Sequence, residues 1–300
     1  MQDIDDLNRR FGLPGKLSFT SLAKGMPVAE IKTALCTARI TLQGAQVIDW
    51  TPAGQKPVIW LSKDARFAPG KSIRGGVPVC WPWFGPHESR TDVPAHGHAR
   101  TVEWELLDSD LLQDEGVSLS FRLIPTDASR AMWPHATPLE LEMSIGKNLE
   151  LELITRNTGD QPVQIGEALH TYFAVGDVRK VTVTGLDGTE YLDKVDGFKS
   201  KTQQGGVNFN GEVDRVYVAT EADCLIQDPS MRRSIRISKR GSRSTVVWNP
   251  WIDKCRAMGD MGEAGYLGML CVESGNAASD VVTIAPGGEH RLWVRYKVES

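Results

Sequence analysis

The sequence predicts an all-β protein, a large antiparallel β-sandwich with few short helices, on three observations. After the first sixteen residues, apolar and polar side chains alternate with period two in many short runs. Gly, Pro, Asn and Asp break these runs at short intervals, as turns between strands require. No regular alternation of strand patterns with long helical patterns runs along the chain, so a parallel sheet is not indicated.

The elements follow in order. Asp3–Phe11 (DIDDLNRRF) carries a helical pattern, and residues 1–16 are expected to form an N-terminal helix or arm on the sandwich. ARITL, the turn-prone Gly44, AQVIDW and PVIWLS supply the first strand runs. VSLSFRLI, LELEMSI and LELELITRN come next, and in the last of these Leu149, Leu151 and Leu153 point one way and Glu150 and Glu152 the other, as on a half-buried antiparallel sheet. KVTVTGL, SIRISK, STVVWN and RLWVRYKV complete the set. Besides Asp3–Phe11, only the short SRAMW reads as a helical turn. No linker or fixed-period repeat divides the 300 residues, so residues 1–300 are expected to be a single domain.

Composition narrows the function classes. The chain is 41% hydrophobic and 24% charged, ordinary for a globular protein, with a net charge of -4. That mild acidity argues against nucleic acid or an anionic membrane surface as partner. Five scattered cysteines without a C-x-x-C spacing fit reduced thiols better than a disulfide framework or a thiolate metal site. No secretory leader or membrane-spanning run is read, so a soluble, cytoplasmic protein, expected as a monomer, is inferred.

Four segments carry candidate chemistry. Ile73–Arg100 gathers aromatic rings, arginines and three of the six histidines between glycines. Trp81, Trp83 and Phe84 either plug the end of the sandwich or wall a ligand site. Arg74 and Arg100 bracket these rings, and a planar guanidinium matches phosphate or carboxylate oxygens, although surface ion pairs are the alternative role. Within this segment His96, His98 and Glu103 have the H-x-H-x4-E spacing that resembles the metal motif of cupins, but the flanking glycines of that motif are replaced by Arg90 and Asp110.

EALHTYFAVGD sets His170 among apolar and aromatic neighbours, as a core histidine or as an acid whose pKa burial and a carboxylate would tune. In LCVESGN, Glu273 follows the apolar run GMLCV, and a carboxylate at the end of such a buried strand is either a buried ion-pair partner or a general base facing a cleft. YLDKVDG (Asp193, Lys194) and EVDRVY (Asp214, Arg215) are weaker and read equally well as turn and edge-strand charges.

Taken in register, IRGGVPVCWPWFGP, PAHGHAR, ALHTYFAVGD, GLDGTEYLDKVDG, DRVY, VWNPW followed by MGDM, and CVE resemble the aldose 1-epimerase (mutarotase) superfamily, in its hexose-6-phosphate branch. The resemblance runs from about Ala38 to Val298. It implies a galactose mutarotase-like β-sandwich that interconverts the α and β anomers of a hexose 6-phosphate, with no cofactor and no metal. It implies His170 as general acid and Glu273 as general base. It further implies Arg74 and Arg100 as the groups that hold the phosphorylated sugar, Asp193 as a hydrogen-bond partner of sugar hydroxyls, and His96 as a lining of the ring.

On this reading, Ile73–Arg100 is the binding half of a split site, with its rings as the sugar-facing wall. Ala95 and His98 depart from residues that some members carry on either side of the HG pair. Two other classes remain at this point: a non-catalytic sugar-phosphate or carbohydrate-binding sensor, and a cupin-like metalloenzyme.

Overall fold

The computed structural model describes residues 2–299. Asp3 caps the N-terminus of α1 (Ile4–Phe11) by accepting the Asp6 N–H, satisfying one of the helix's orphan donors. Leu7 and Phe11, four residues apart on one face, bury against the first strands. A four-stranded meander follows, Leu17–Ser21, Pro27–Lys32, Cys36–Thr41 and Gln46–Pro52, paired in sequence order.

Two larger antiparallel sheets carry the rest. The nine-stranded sheet is built around Glu289–Glu299, which pairs with Arg233–Arg240 on one side and Leu149–Arg156 on the other. Leu149, Leu151 and Leu153 are buried and Glu150 and Glu152 half-buried, the alternation expected from the sequence. The eight-stranded sheet runs through Glu190–Asp193, Val213–Tyr217, Ser244–Asn249, Met269–Asn276 and Glu167–Leu169. Inner-face residues of the two sheets share one apolar core with the meander, Leu151 and Val294 on one side and Leu270 and Val272 on the other. Phe173 meets Tyr296 edge to face across it, ring centroids 5.1 Å apart.

The strand Met269–Asn276 fixes the site. All eight of its residues are buried, so both of its faces are covered. Leu270 and Val272 point into the main core, whereas Met269 and Cys271 belong to a second cluster with Tyr172, Val246 and Trp248 on the opposite face. Period-two alternation puts Glu273 on that opposite face. Register places Val246 beside Glu273, Trp248 beside Cys271, Asp214 beside Trp248 and Tyr172 beside Cys271, so side chains from four strands converge there.

Three expectations need correction. PVIWLS forms only isolated bridges, Ile59 with Phe173 and Leu61 with Gly75, because each run of pairing lasts a single residue. Glu273 lies within its strand rather than at its end, since pairing continues to Asn276. A third helix, α3 (Trp251–Met258), joins the α2 turn (Asp127–Met132) expected at SRAMW. WIDKCRAM buries only Cys255 completely, so it has no apolar stripe for the sequence to reveal.

All five cysteines are buried free thiols. Among the described residues, no helix is long and apolar enough to cross a membrane.

Candidate active site

A cavity of about 300 Å³ opens on the outer face of the eight-stranded sheet. His170, Glu273, Arg74, Arg100 and His96 all line it, although up to 199 positions separate them in sequence (273 minus 74). Phe84, Tyr172 and Trp248 form its aromatic walls.

His170 follows the short strand Glu167–Leu169, and its N–H donates to Pro78 O at 3.0 Å. Its ring stacks on Tyr172, centroids 4.9 Å apart and 16° between planes, and meets Trp248 and His96 edge on. Its Nε2 lies 3.3 Å from Glu273 Oε1. Nδ1 of His170 and Oε2 of Glu273 have no hydrogen-bond partner within the protein, leaving both groups capacity for a ligand.

Burial disfavours both charges. It holds the His170 pKa well below the ordinary histidine range, helped by the nearby His96, Arg100 and Arg74. It pushes Glu273 well above the ordinary carboxylate range, with Asp214 adding to the rise and Lys194 and Arg100 opposing it. Both shifts favour the neutral imidazole and the protonated carboxyl over the two charged forms. A pair holding one proton can give at one atom and take at another, which is the requirement of concerted acid-base chemistry.

The cations come from three directions. Arg74 is held by Asp260, Nε to Oδ1 at 2.9 Å, and by Tyr172, Nη1 donating to the phenol oxygen at 3.0 Å. Gly75 and Gly76, both at positive φ, let this segment press against the backbone of Trp60 and Val47, where an added Cβ would come within 2.6 and 2.4 Å of their carbonyl oxygens. Arg100 donates to Ala95 O at 2.9 Å, and among the described residues it forms no ion pair with a carboxylate within 4 Å. Lys194 and Lys254 also line the cavity, with Asp214 3.1 Å from the Lys194 ammonium. Three of the four lining cations have a carboxylate partner, Arg74 in Asp260, Lys194 in Asp214 and Lys254 in Glu212, which leaves Arg100 as the one without a carboxylate within 4 Å among the described residues. A cation so placed favours an anionic ligand.

His96 sits at φ 66 and Gly97 at φ 67, a left-handed pair clamped to the preceding segment. The Gly85 N–H donates to His96 Nδ1 at 3.3 Å, which leaves the proton of the neutral ring on Nε2. Burial and the surrounding cations pull its pKa down to about 3, so His96 is a neutral hydrogen-bonding group at physiological pH.

Other sequence-predicted residues lie elsewhere. Asp193 does not line the cavity: Lys201 Nζ binds its Oδ2 at 2.8 Å and the Val195 N–H donates to its Oδ1 at 3.2 Å. Lys194 and Asp214, read from the sequence only as weak signals, occupy the wall instead. Of the three rings in Ile73–Arg100, only Phe84 faces this cavity. Trp81 is buried in the main core and Trp83 donates to Pro94 O, so neither walls this cavity.

His98 turns away from His96 into a different cavity, and among the described residues His96, His98 and Glu103 do not converge as a cupin-like metal site would. The convergent group is His170, Cys271 and Glu273, whose ligand atoms lie within 4.8 Å of one another. Burial, with Glu273 beside it, holds the Cys271 thiol far above its ordinary pKa. Lys254, Met258, Tyr172 and Trp248 complete the lining unforeseen; α3 hid the first two, and the last two lie in LHTYF and VWNPW, the segments that carried the resemblance.

Known proteins resemble this chain in sequence and in fold. Residues 27–297 match the family model of aldose 1-epimerase. A protein of Escherichia coli K12 named "Putative glucose-6-phosphate 1-epimerase" is 39% identical over 242 residues, 80% of each chain. A protein of the same name from the plant Cenchrus ciliaris is 37% identical over 266 residues, 85% of this chain and 79% of the plant protein.

The crystal structure of a Salmonella typhimurium mutarotase-named protein superposes with a TM-score of 0.90 at 34% identity over 99% of both chains. A galactose mutarotase related enzyme from Lactobacillus acidophilus shares the fold at 12% identity, with a TM-score of 0.72 over 91% of this chain and 97% of the other. The β-sandwich is of the galactose mutarotase-like type expected. The chain belongs to the aldose 1-epimerase family.

Proposed function

We propose that the protein is a glucose-6-phosphate 1-epimerase, converting α and β anomers of a hexose 6-phosphate into one another with Glu273 as base and His170 as acid. The observation that carries this reading is one cavity holding a buried His170–Glu273 pair in contact at 3.3 Å, beside Arg74 and Arg100, the latter without a carboxylate partner among the described residues. The names of relatives 37–39% identical to this chain support the same substrate.

With sugar bound, the reactive form of the pair is Glu273 carboxylate and His170 imidazolium. Glu273 takes the proton of the C1 hydroxyl while His170 gives its proton to the ring oxygen. The bond between C1 and the ring oxygen breaks, leaving an aldehyde at C1 and a hydroxyl at C5. Half a turn about the C1–C2 bond presents the other carbonyl face. The C5 hydroxyl then attacks C1, returning its proton to His170 as Glu273 returns one to the C1 oxygen. Both residues end as they began, and the sugar has changed only its anomeric configuration.

Arg74 and Arg100 suit the 6-phosphate, because a guanidinium gives a dianion charge-assisted and directional hydrogen bonds. The faces of Phe84, Tyr172 and Trp248 suit the apolar C–H faces of a pyranose. Asp214 and neutral His96 are the polar groups left to read ring hydroxyls.

A polarimetric assay on freshly dissolved α-glucose 6-phosphate tests the proposal. The wild-type protein should accelerate the approach to anomeric equilibrium, and an unaccelerated approach would overturn it.

A further inference from the structure

The HGH turn has two sides. His96 faces the catalytic cavity, while His98, two residues on, lines a separate cavity of about 610 Å³ with Trp81, Trp133, His135 and Leu139. Gly97 is the wall between them: its backbone bridges Trp81, and a Cβ there would come within 1.9 Å of the Trp81 carbonyl oxygen. That same oxygen accepts the His98 N–H at 3.0 Å. None of the roles argued for the catalytic cavity uses this second one.

We propose that this second cavity is a binding site for an uncharged, flat heteroaromatic ring, and that its occupancy is felt at His96 through the Trp81–Gly97 contact. Three features point to that ligand. The rings stand edge-on to one another, Trp81 to Trp133 at 68° and Trp133 to His135 at 62°; Trp81 is almost wholly buried, so the half-buried Trp133 and the exposed His135 are the rings a flat ligand can pack on.

The two cations at its border are already matched, Arg122 by Glu140 at 2.7 Å and Arg130 by Asp127 at 3.0 Å, so no uncompensated charge calls for an anion. His98 is 3% exposed, yet its buried Nδ1 has no hydrogen-bond partner. Burial brings its pKa down to about 4, so the ring is neutral and seeks a hydrogen-bonding edge rather than a counter-charge.

Isothermal titration of the full chain with indole and with adenosine tests the site, the two probes separating a free ring from a ring carried on ribose. At least one should bind saturably. Binding should be lost both in Trp133→Ala, which removes a wall, and in Ala136→Trp, which fills the cavity. The filling variant guards against a Trp133→Ala chain that fails to fold.

Histidine ring resonances read the coupling without any activity assay. The His96 signals should shift in step with saturation in the wild type and stay fixed in Ala136→Trp. Binding of neither probe, or binding that survives both substitutions, would overturn the site. A saturated cavity with unmoved His96 signals would overturn the coupling.

Discussion

Nε2 of His170 lies 3.3 Å from Oε1 of Glu273, and burial opposes the charge on each. The pair is built from unlike environments: His170 is reached from a loop after a three-residue strand, while Glu273 is fixed by the pairing of the strand Met269–Asn276 on both sides. A carboxylate so placed costs stability, and sites that shift a pKa in this way are where catalytic groups are found.

Removing either partner should abolish most of the rate. Glu273→Gln and His170→Asn are each expected to lower kcat for anomerisation by roughly 10²- to 10⁴-fold, the usual reach of a general acid or base. Circular dichroism should show both variants folded, because each replacement keeps the approximate shape and a hydrogen-bonding edge. Full activity in both would remove the pair from the mechanism.

The pH dependence of kcat/KM should be bell-shaped. Acid adds a second proton to the pair and leaves no base; alkali removes the one proton and leaves no acid. The two limbs report apparent pKa values of the pair rather than of either residue. A rate independent of pH from 5 to 9 would contradict the shared-proton account.

Tyr172 links acid to clamp, stacking on His170 while its phenol oxygen accepts from Arg74. Tyr172→Phe keeps the stacking and deletes the hydrogen bond to a cation, an interaction of about 1.5–3 kcal/mol. KM for glucose 6-phosphate is expected to rise roughly 10-fold or more with kcat little changed. Tyr172→Leu, which loses the stacking as well, should lower kcat too. Equal effects of the two substitutions would separate Arg74 placement from the phenol.

Glu167 offers a stability test away from the cavity. It is fully buried, with Thr155 Oγ1 donating to it at 3.4 Å, and burial pushes its pKa up to about 8. A raised carboxylate pKa means the folded state holds a proton the unfolded state has released. Its contribution to stability is therefore full below about pH 4.5 and is lost as pH rises through 8. Glu167→Gln should flatten that decline and raise stability at pH 7 by up to roughly 3 kcal/mol, from about 1.4 kcal/mol per pH unit. Urea unfolding at pH 5 and pH 8 reads the difference, and an unchanged pH slope would contradict the buried, protonated carboxyl.

Much of this fold is legible in alternation alone, because strands such as Leu149–Arg156 bury one face and leave the other half-covered. Pairing is less legible: PVIWLS has a strand's composition but finds partners only one residue at a time. α3 left no signal, since it buries only Cys255 completely and turns Lys254 and Met258 to the cavity, which leaves no apolar stripe. Of the candidate residues, five are brought together in the cavity, but the motif around Asp193 misleads by one position. A 3-10 turn at Lys194–Asp196 spends the Asp193 carboxylate on its own cap and on Lys201, and delivers Lys194 to the wall. HGH misleads in a similar way, because consecutive left-handed residues at His96 and Gly97 send the two imidazoles to different cavities, where an extended strand would have kept them on one face.

The most direct test of the phosphate assignment is anomerisation of α-glucose 6-phosphate against α-glucose by the same preparation, with Arg74→Ala and Arg100→Ala alongside the wild type. Two charge-assisted contacts of about 1.5–3 kcal/mol each should make kcat/KM for the phosphorylated sugar at least roughly 100-fold higher. Each arginine substitution should cut that preference while leaving the slow rate on glucose nearly unchanged. Equal kcat/KM for the two sugars in the wild type would contradict the account.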